Sequence, residues 1–532
     1  MRRWVIAIAL AGCATDPAPT PAEESRAVRT LSRASLDLRG VRPSLADLRA
    51  VQTDPAALDP LVASYLDDPR FGARYAAVMA GVWRTPVTEA DHGQATYPVA
   101  DIYAMLESIG QEPLRVVAQV AQDDLPWTEL VLGDWTVIDH TLAEYYPTDY
   151  PAGEQGWRTV HYTDGRPAAG VLATNGMWWR YDSTQANANR GRANAVSRIL
   201  LCRDYLEQQI EGDRDLDLLD EEAVNSALRT ADACVTCHAS LDPMASFFWG
   251  FYNHFNFSPA EQASYHPERE LDWQVFSGVA PGYYGASGDT LDDLGRAIAA
   301  DPRFVECAVE RTWEQLLSQP AGLGDIDDLS RHREAFLDGG LTVRGLVASI
   351  LADPRYRDLD PDVAGAASAK LVTADLLVTQ VEGLTGFRFR TDGRDTFATD
   401  LFGLRTMAGG DGPSFDGDAV VATTPTLALV AERLAEAAAW HRIEADRATP
   451  DSATLLTVGP SARPGDTDFE NQLDHLFLQV LGRTIPDPTS PPPDRDRAVQ
   501  LWRDVFALTG SETDAWASVL AWMLRHPDFL VY

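Results

Sequence analysis

Apolar positions recur along most of this chain at the three- and four-residue spacing of a helix face, and few stretches alternate as strands do. Residues 26–50 carry the helical pattern up to Val41-Arg42-Pro43-Ser44, where Pro43 and Ser44 predict a new helix from Leu45. LVASYLDDPRF (61–71) predicts a helix that stops at Asp-Pro, because Pro69 disfavours helical geometry in the residue before it. The ending recurs in GRAIAADPRF (295–304), LVASILADPRY (346–356) and VLAWMLRHPDF (519–529), with an aromatic just after each Pro, where it can fold back onto the helix. LDHLFLQVLGR (473–483) sets Leu473, Leu476, Phe477, Val480 and Leu481 on one face before a Gly, and VERTWEQLLSQPAG (309–322) is similar. These repeats read as duplicated helical units at irregular spacing, not as a solenoid. Strand signals are confined to 155–173, where WRTVHY, Asp164-Gly165 and AAGVLA predict a hairpin, and to FRFR (387–390) before Thr-Asp-Gly. The expectation is a mainly α, multi-module protein with minor β-hairpin content.

The composition narrows the classes. A chain of 532 residues with 45% hydrophobic and 23% charged residues is globular and long enough for two to four domains. Its net charge of −35 argues against nucleic acid and against docking on anionic headgroups, and predicts that a protein partner is basic. Lys370 is the single lysine. Loops are expected at Ala408–Asp418 and Pro486–Asp494. The first holds Asp411, Asp416 and Asp418 but lacks the order of a calcium loop, so a solvated turn is expected there.

The N-terminus carries a targeting pattern. Arg2 and Arg3 precede an apolar run, WVIAIALA (4–11), too short to span a bilayer, and Leu10-Ala11-Gly12-Cys13 resembles a bacterial lipoprotein box with Cys13 acylated. The following ATDPAPTPAEES reads as an extended tether. The expected location is extracytoplasmic and held to a membrane by the N-terminal lipid only. Uncharged Ala14 points to the outer membrane, on its periplasmic or surface face, over the inner one.

The most specific stretch is Cys234-Val235-Thr236-Cys237-His238, the C-x-x-C-H of covalent c-type haem attachment. Two thiols add to the two vinyl groups of a haem, and the following imidazole ligates the iron, which makes His238 the expected proximal ligand. A zinc site needs four ligands, and the chain has no second C-x-x-C or H-x-x-x-H. For the sixth position Met177 and His254 rank first, ahead of His161, His266 and Met244; Met244 is only six residues beyond His238 and has a strained path to the far face. Arg190, Arg192 and Arg198 are candidate partners of haem propionates. Phe247, Phe248, Trp249, Phe251, Tyr252, Phe255 and Phe257 supply an apolar surround. With Cys13 lipidated and Cys234 and Cys237 on haem, Cys202 and Cys307 remain, and an exported location predicts a disulfide between them.

These pieces together resemble the planctomycete-type cytochrome c multidomain proteins, whose parts are domains of unknown function, and especially their myxobacterial lipoprotein relatives. LSRASLDLRGVRPSLADL (31–48) with DDPRFGARYA (67–76) is similar to the N-terminal module, and PWTELVLGDWTVIDHTLAEYY (126–146) to the segment leading into the haem region. DGRPAAGVLATNG (164–176), NANRGRANAVSRILLC (187–202) and CVTCHASLDPMASFFWGF (234–251) resemble the haem module, and DPRFVECAVERTWEQLL (301–317) the one after it. Where those proteins often carry a Glu and an Asp after their LDP, this chain has ASFFWGFY. The resemblance implies haem and export.

The expected organisation is a signal and tether over 1–26, a helical module over 27–148, a haem module over 149–320, a helical module with loops over 321–470 and a C-terminal helical module over 471–532. The expected function is electron transfer by one covalent haem c, to or from a redox partner protein. A haem enzyme of peroxidase or oxidase type with an open sixth position, and a surface scaffold with structural haem, stand as alternatives, so whether the chain is an enzyme is left open. The anchor yields a direct prediction: Cys13→Ser abolishes acylation and moves the protein from the membrane to the soluble fraction, read by fractionation and by mass of the N-terminal peptide.

Overall fold

A computed structural model describes residues 21–85, 102–184, 187–207, 219–251, 263–357, 369–398, 400, 402–410, 423–484 and 493–532. Among these residues the protein is mainly helical, with three two-stranded antiparallel sheets. Among the described residues no helix is long and apolar enough to cross a membrane.

Helix α1 (Pro21–Arg39) is the central element. Residues 31–38 are buried without a break, so it is covered on all sides instead of showing an apolar stripe. Val28, Leu31, Ala34 and Leu38 enter a core built from residues 27–356, joined by Leu478. Leu36 enters a second core, built otherwise from residues 372–529. Such a helix also buries polar side chains, and each needs a partner. Arg33 donates to the Leu316 carbonyl at 3.0 Å, and Ser35 donates to that of Val41 at 2.6 Å. Asp37 accepts from Lys370 Nζ at 2.7 Å, from Tyr356 at 2.8 Å and from Tyr532 at 3.2 Å. Burial pulls the Lys370 amine down to about 7 against the opposing pull of Asp37. The backbones of Lys370 and Tyr532 bond to each other as well, at 2.8 and 2.9 Å.

Ser44 caps α2 (Leu45–Thr53) by accepting from the Asp47 N–H at 3.1 Å, as the sequence predicts. Helices α3 (Leu58–Leu66), α4 (Phe71–Trp83) and α5 (Ile102–Gln122) follow, with α4 lying along α5. The Asp-Pro steps do more than end helices. Asp301 accepts from Arg303 N at 2.9 Å, with Pro302 at the first position of the helix Pro302–Leu317. Asp68 and Asp353 accept in the same way from Arg70 and Arg355. The aromatics after these prolines, Phe71, Phe304, Tyr356 and Phe529, therefore lie at the start of a new helix and plunge into the core, instead of folding back on the preceding one.

The face predicted in 473–483 is present. The helix Thr467–Leu476 continues as a π turn, Phe477–Leu481, that ends at Gly482 with φ +64. A Cβ at Gly482 would lie 2.8 Å from Ser32 Oγ, so this close approach to α1 needs glycine. The similar helix at 309–322 closes earlier, on left-handed Ser318.

The hairpin expected across Asp164-Gly165 does not form. Strand β2 (Arg158–Val160) pairs back to β1 (Thr136–Ile138), with Val137 opposite Thr159, and Gly170–Ala173 is a buried 3₁₀ turn. Packing decides this: a Cβ on Gly170 would lie 2.1 Å from the Leu130 carbonyl oxygen, so the segment threads between elements where no strand fits. Buried Glu112 on α5 holds the arrangement, accepting from Thr136, Tyr162 and Gly176 N at 2.8, 2.5 and 2.8 Å. Strands β3 (Gly282–Tyr283) and β4 (Ala286–Ser287) form a small second hairpin. The FRFR segment forms its hairpin as expected, β5 (Arg390–Thr391) with β6 (Arg394–Asp395) around Asp392-Gly393.

A disulfide joins Cys202, at the end of the helix Arg190–Leu201, to Cys307 in Pro302–Leu317, with Cα atoms 5.2 Å apart. It closes a loop with a sequence separation of 105. In the chain-entropy view a loop of that size contributes up to about 4.7 kcal/mol. Reduction should lower the guanidinium unfolding midpoint of the wild type by a stability change of up to about that size, and leave Cys202→Ala/Cys307→Ala unaffected.

Candidate cofactor site

The C-x-x-C-H lies inside a helix, Asp232–Ala245. Positions i, i+3 and i+4 share a helix face, so Cys234, Cys237 and His238 project together. Cys237, Leu241, Met244 and Ala245 belong to the first core, while Cys234 is half-buried and neither cysteine is in a disulfide. The helix packs against Arg190–Leu201 and Glu221–Thr230. Behind it Ser240 bonds to Tyr205 at 2.7 Å, and Tyr205 to Tyr284 at 3.3 Å.

The ring of His238 is oriented. Its Nδ1 lies 2.8 Å from Asp242 Oδ1, one helical turn on. Arg190 forks onto the same carboxylate, Nε to Oδ1 at 2.7 Å and Nη2 to Oδ2 at 3.2 Å. Burial raises the Asp242 carboxyl, but the bonds from His238 and Arg190 outweigh it and hold the group below its ordinary value. A neutral ring that donates from Nδ1 to Asp242 presents its lone pair on Nε2, and Nε2 has no hydrogen bond among the described residues. A carboxylate on the far ring nitrogen is the usual arrangement behind a metal-bound histidine. Two thiols and a lone-pair imidazole nitrogen on one face therefore fit covalent haem by their donor chemistry.

The other expected residues fare differently. Met177 is buried in Asn175–Arg180, a short helix packed on α5. Met244 shares the helix of His238 six positions on, about 240° round the axis, and points into the core. His161 is exposed between Asp149 and Asp134, at 3.3 and 3.9 Å, and His266 lies 3.2 Å from Glu268. Cys13, Tyr252, His254, Phe255, Phe257, Asp411, Asp416 and Asp418 lie outside the described residues. Of the three arginines proposed for propionates, Arg190 holds Asp242, Arg192 bonds the Tyr181 carbonyl at 3.1 Å, and Arg198 bonds the Val82 carbonyl and the Tyr181 hydroxyl at 2.7 and 2.6 Å. All three tie elements together, because a buried guanidinium takes the nearest acceptors. The aromatics after the motif form a closed set with rings from elsewhere in the chain. Trp178 meets Phe248 at 4.6 Å, Phe276 stacks on Trp249 at 5.1 Å, and Tyr265 meets Phe251 at 4.9 Å.

One constellation had no local sequence signal. His332 Nδ1 lies 2.8 Å from Ser349 Oγ, and its Nε2 3.2 Å from Asp353. The residue types are those of a hydrolytic triad, yet the ring is 1% exposed and bridges two packed helices, Ile326–Asp338 and Val343–Leu351. Asp353 also caps the helix Pro354–Arg357. We read this as a buried tie. Compared with known proteins, no family model matches the chain, and neither a curated protein nor a solved structure matches it.

The Asp242 geometry sets a pH dependence. A carboxyl held below its ordinary value binds fewer protons in the folded state than in the unfolded state in acid. Its contribution is complete above the ordinary value, about pH 4, and is lost as pH falls through the folded value. Asp242→Asn should therefore show a shallower fall in urea midpoint than wild type on acidification from about pH 5 to about pH 2.5.

Proposed function

We propose that this chain is an extracytoplasmic, lipid-anchored c-type cytochrome that carries one haem on Cys234, Cys237 and His238 and passes electrons to or from a basic partner protein. The observation that carries this reading is the shared helix face of the three residues together with the Asp242 bond that fixes the His238 ring. Bound haem supplies a one-electron couple whose potential follows axial ligand, burial and hydrogen bonding. The protein's own part is narrower. The helix holds two thiols one turn apart, and the Asp242 bond at Nδ1 orients the His238 ring and leaves Nε2 for a ligand. Arg190 balances the Asp242 charge. The resemblance to the planctomycete-type proteins supports the same reading, as does the lipoprotein-like start. The net charge of −35 favours a basic partner by long-range attraction.

A haem enzyme is the second reading, and the same Asp242 bond favours it, since a carboxylate behind the ring makes the imidazole a stronger donor.

Two measurements test both. Protein denatured in acid-acetone should keep its haem, and Cys234→Ala/Cys237→Ala should carry none; release of haem from the wild type rules out covalent attachment. Absorption spectra with and without carbon monoxide then separate the readings: low-spin unreactive haem supports electron transfer, and high-spin haem that binds the gas supports an enzyme.

A further inference from the structure

A cavity of about 1230 Å³ lies between the two cores. One wall is α4, α5 and the helix Pro302–Leu317; the other is the helix Ala374–Thr385, with Phe397 and Arg405 beyond it. Asp37, Arg74, Lys370 and Tyr532 also border it. Ligand sites favour such junctions. The chain has 79 acidic and 44 basic residues, yet basic residues outnumber acidic ones on these walls.

Lysine is the exception here. Every other member of the 44 is arginine, the ordinary choice for a buried ion pair, because its fork bonds a carboxylate at two points and keeps its charge. The single lysine stands instead against a carboxylate with no exposed surface, with Nζ 2.7 Å from Asp37 Oδ1. Tyr356 and Tyr532 donate to the same carboxylate. Burial, with Arg33 and Arg74 adding to it, lowers the amine to about 7 against the pull of Asp37. Desolvation and neighbouring cations are what turn a lysine into a nucleophile for carbonyl compounds. A tie between the two cores asks for no group that can lose its proton.

Arg74 supplies a second group. Its Nε donates to the Leu36 carbonyl at 2.8 Å and its Nη2 to the Tyr532 hydroxyl at 3.4 Å, and it has no carboxylate partner among the described residues. The Tyr532 hydroxyl donates in turn to Asp37 Oδ1, the oxygen that accepts from Lys370. One phenol therefore links the guanidinium to the counter-ion of the amine.

We propose that this cavity takes a small oxo acid, whose carbonyl condenses with Lys370 while its carboxylate rests on Arg74. The nitrogen attacks the carbonyl carbon, and the carbonyl oxygen leaves as water. Ammonium and carbonyl give protonated imine and water: two of the three ammonium hydrogens leave with the oxygen, and one stays on nitrogen. Asp37 is placed to take a proton during the attack and return it to the departing hydroxyl. The imine keeps the positive charge that Asp37 balances, so condensation leaves the buried ion pair whole. The fork of Arg74 matches a carboxylate. None of the residues of the candidate haem site takes part.

The single lysine makes the test specific. Full-length protein is incubated near neutral pH with glyoxylate or with glycolaldehyde, each with cyanoborohydride to reduce any imine, and adducts are mapped by peptide mass spectrometry. Rates are divided by those of N-acetyl-lysine under the same conditions. Lys370 of the folded wild type should carry the adduct, and glyoxylate should be favoured over glycolaldehyde by about tenfold. Arg74→Gln should lose that preference and keep its labelling by glycolaldehyde, and Lys370→Arg should show adducts at the N-terminus only. The thermal unfolding midpoint of each variant shows whether it is folded, and the wild-type comparison decides the proposal without them. A Lys370 that reacts only after unfolding in guanidinium is a structural tie and overturns the proposal. Equal normalised labelling by the two aldehydes, or a folded Arg74→Gln that keeps the preference, overturns it as well.

Discussion

A carboxylate with no exposed surface holds this structure together. Asp37 on α1 is reached by Lys370, Tyr356 and Tyr532, which come from the far end of the first core and from both ends of the second. An isolated charge in such a place is heavily penalised, and removal of one partner from a buried pair costs about 3–5 kcal/mol. The three donors therefore have to converge whenever the chain folds. Arg33, one turn earlier on α1, stands 3.9 Å from the same carboxylate and stacks over the Tyr356 ring. The two cores meet at this point, and α1 is buried all round because it belongs to both.

The same logic recurs in a chain so rich in acid. Inside the protein, carboxylates act as collectors of backbone and side-chain donors. Glu112 gathers β1, Tyr162 and the start of the helix Asn175–Arg180 onto α5, and Asp446 takes three successive backbone N–H groups, of Thr454, Leu455 and Leu456. Asp242 is the member of this set that lies at the candidate site. It positions an imidazole from its own helix and is itself positioned by an arginine from another. The Cys202–Cys307 disulfide lies on the far side of Arg190–Leu201 along the chain and ties that helix to Pro302–Leu317, so the helix supporting the motif is fixed at both ends.

At the candidate site, the C-x-x-C-H was legible and the side chains that support it were not. The C-x-x-C-H spacing is a local signal; its helical setting is not, because Cys, Val, Thr and His all rank low in helix propensity. Asp242 is four residues beyond His238, within reach of sequence reasoning once a helix is assumed, because i and i+4 meet on one face. Arg190 stood out as a cation near the motif, but the sequence assigned it to a propionate; the carboxylate of Asp242 takes it instead.

What the sequence determined by itself is local. It predicted the dominance of helix, the cap at Ser44, the FRFR hairpin and the apolar face of 473–483, all set by backbone preferences and periodicities within a few turns. It located the Asp-Pro steps as helix boundaries and left open that each also starts the next helix. Tertiary structure decided which boundary aromatics reach the core, that β2 pairs back to β1 and not forward across Asp164-Gly165, and which acids go inside. Those choices rest on contacts between residues far apart in the chain, such as Asp37 and Lys370, separated by 333 positions. Periodicity and turn chemistry carry no trace of such a pair, because its stability exists only once the surrounding side chains have excluded water from it.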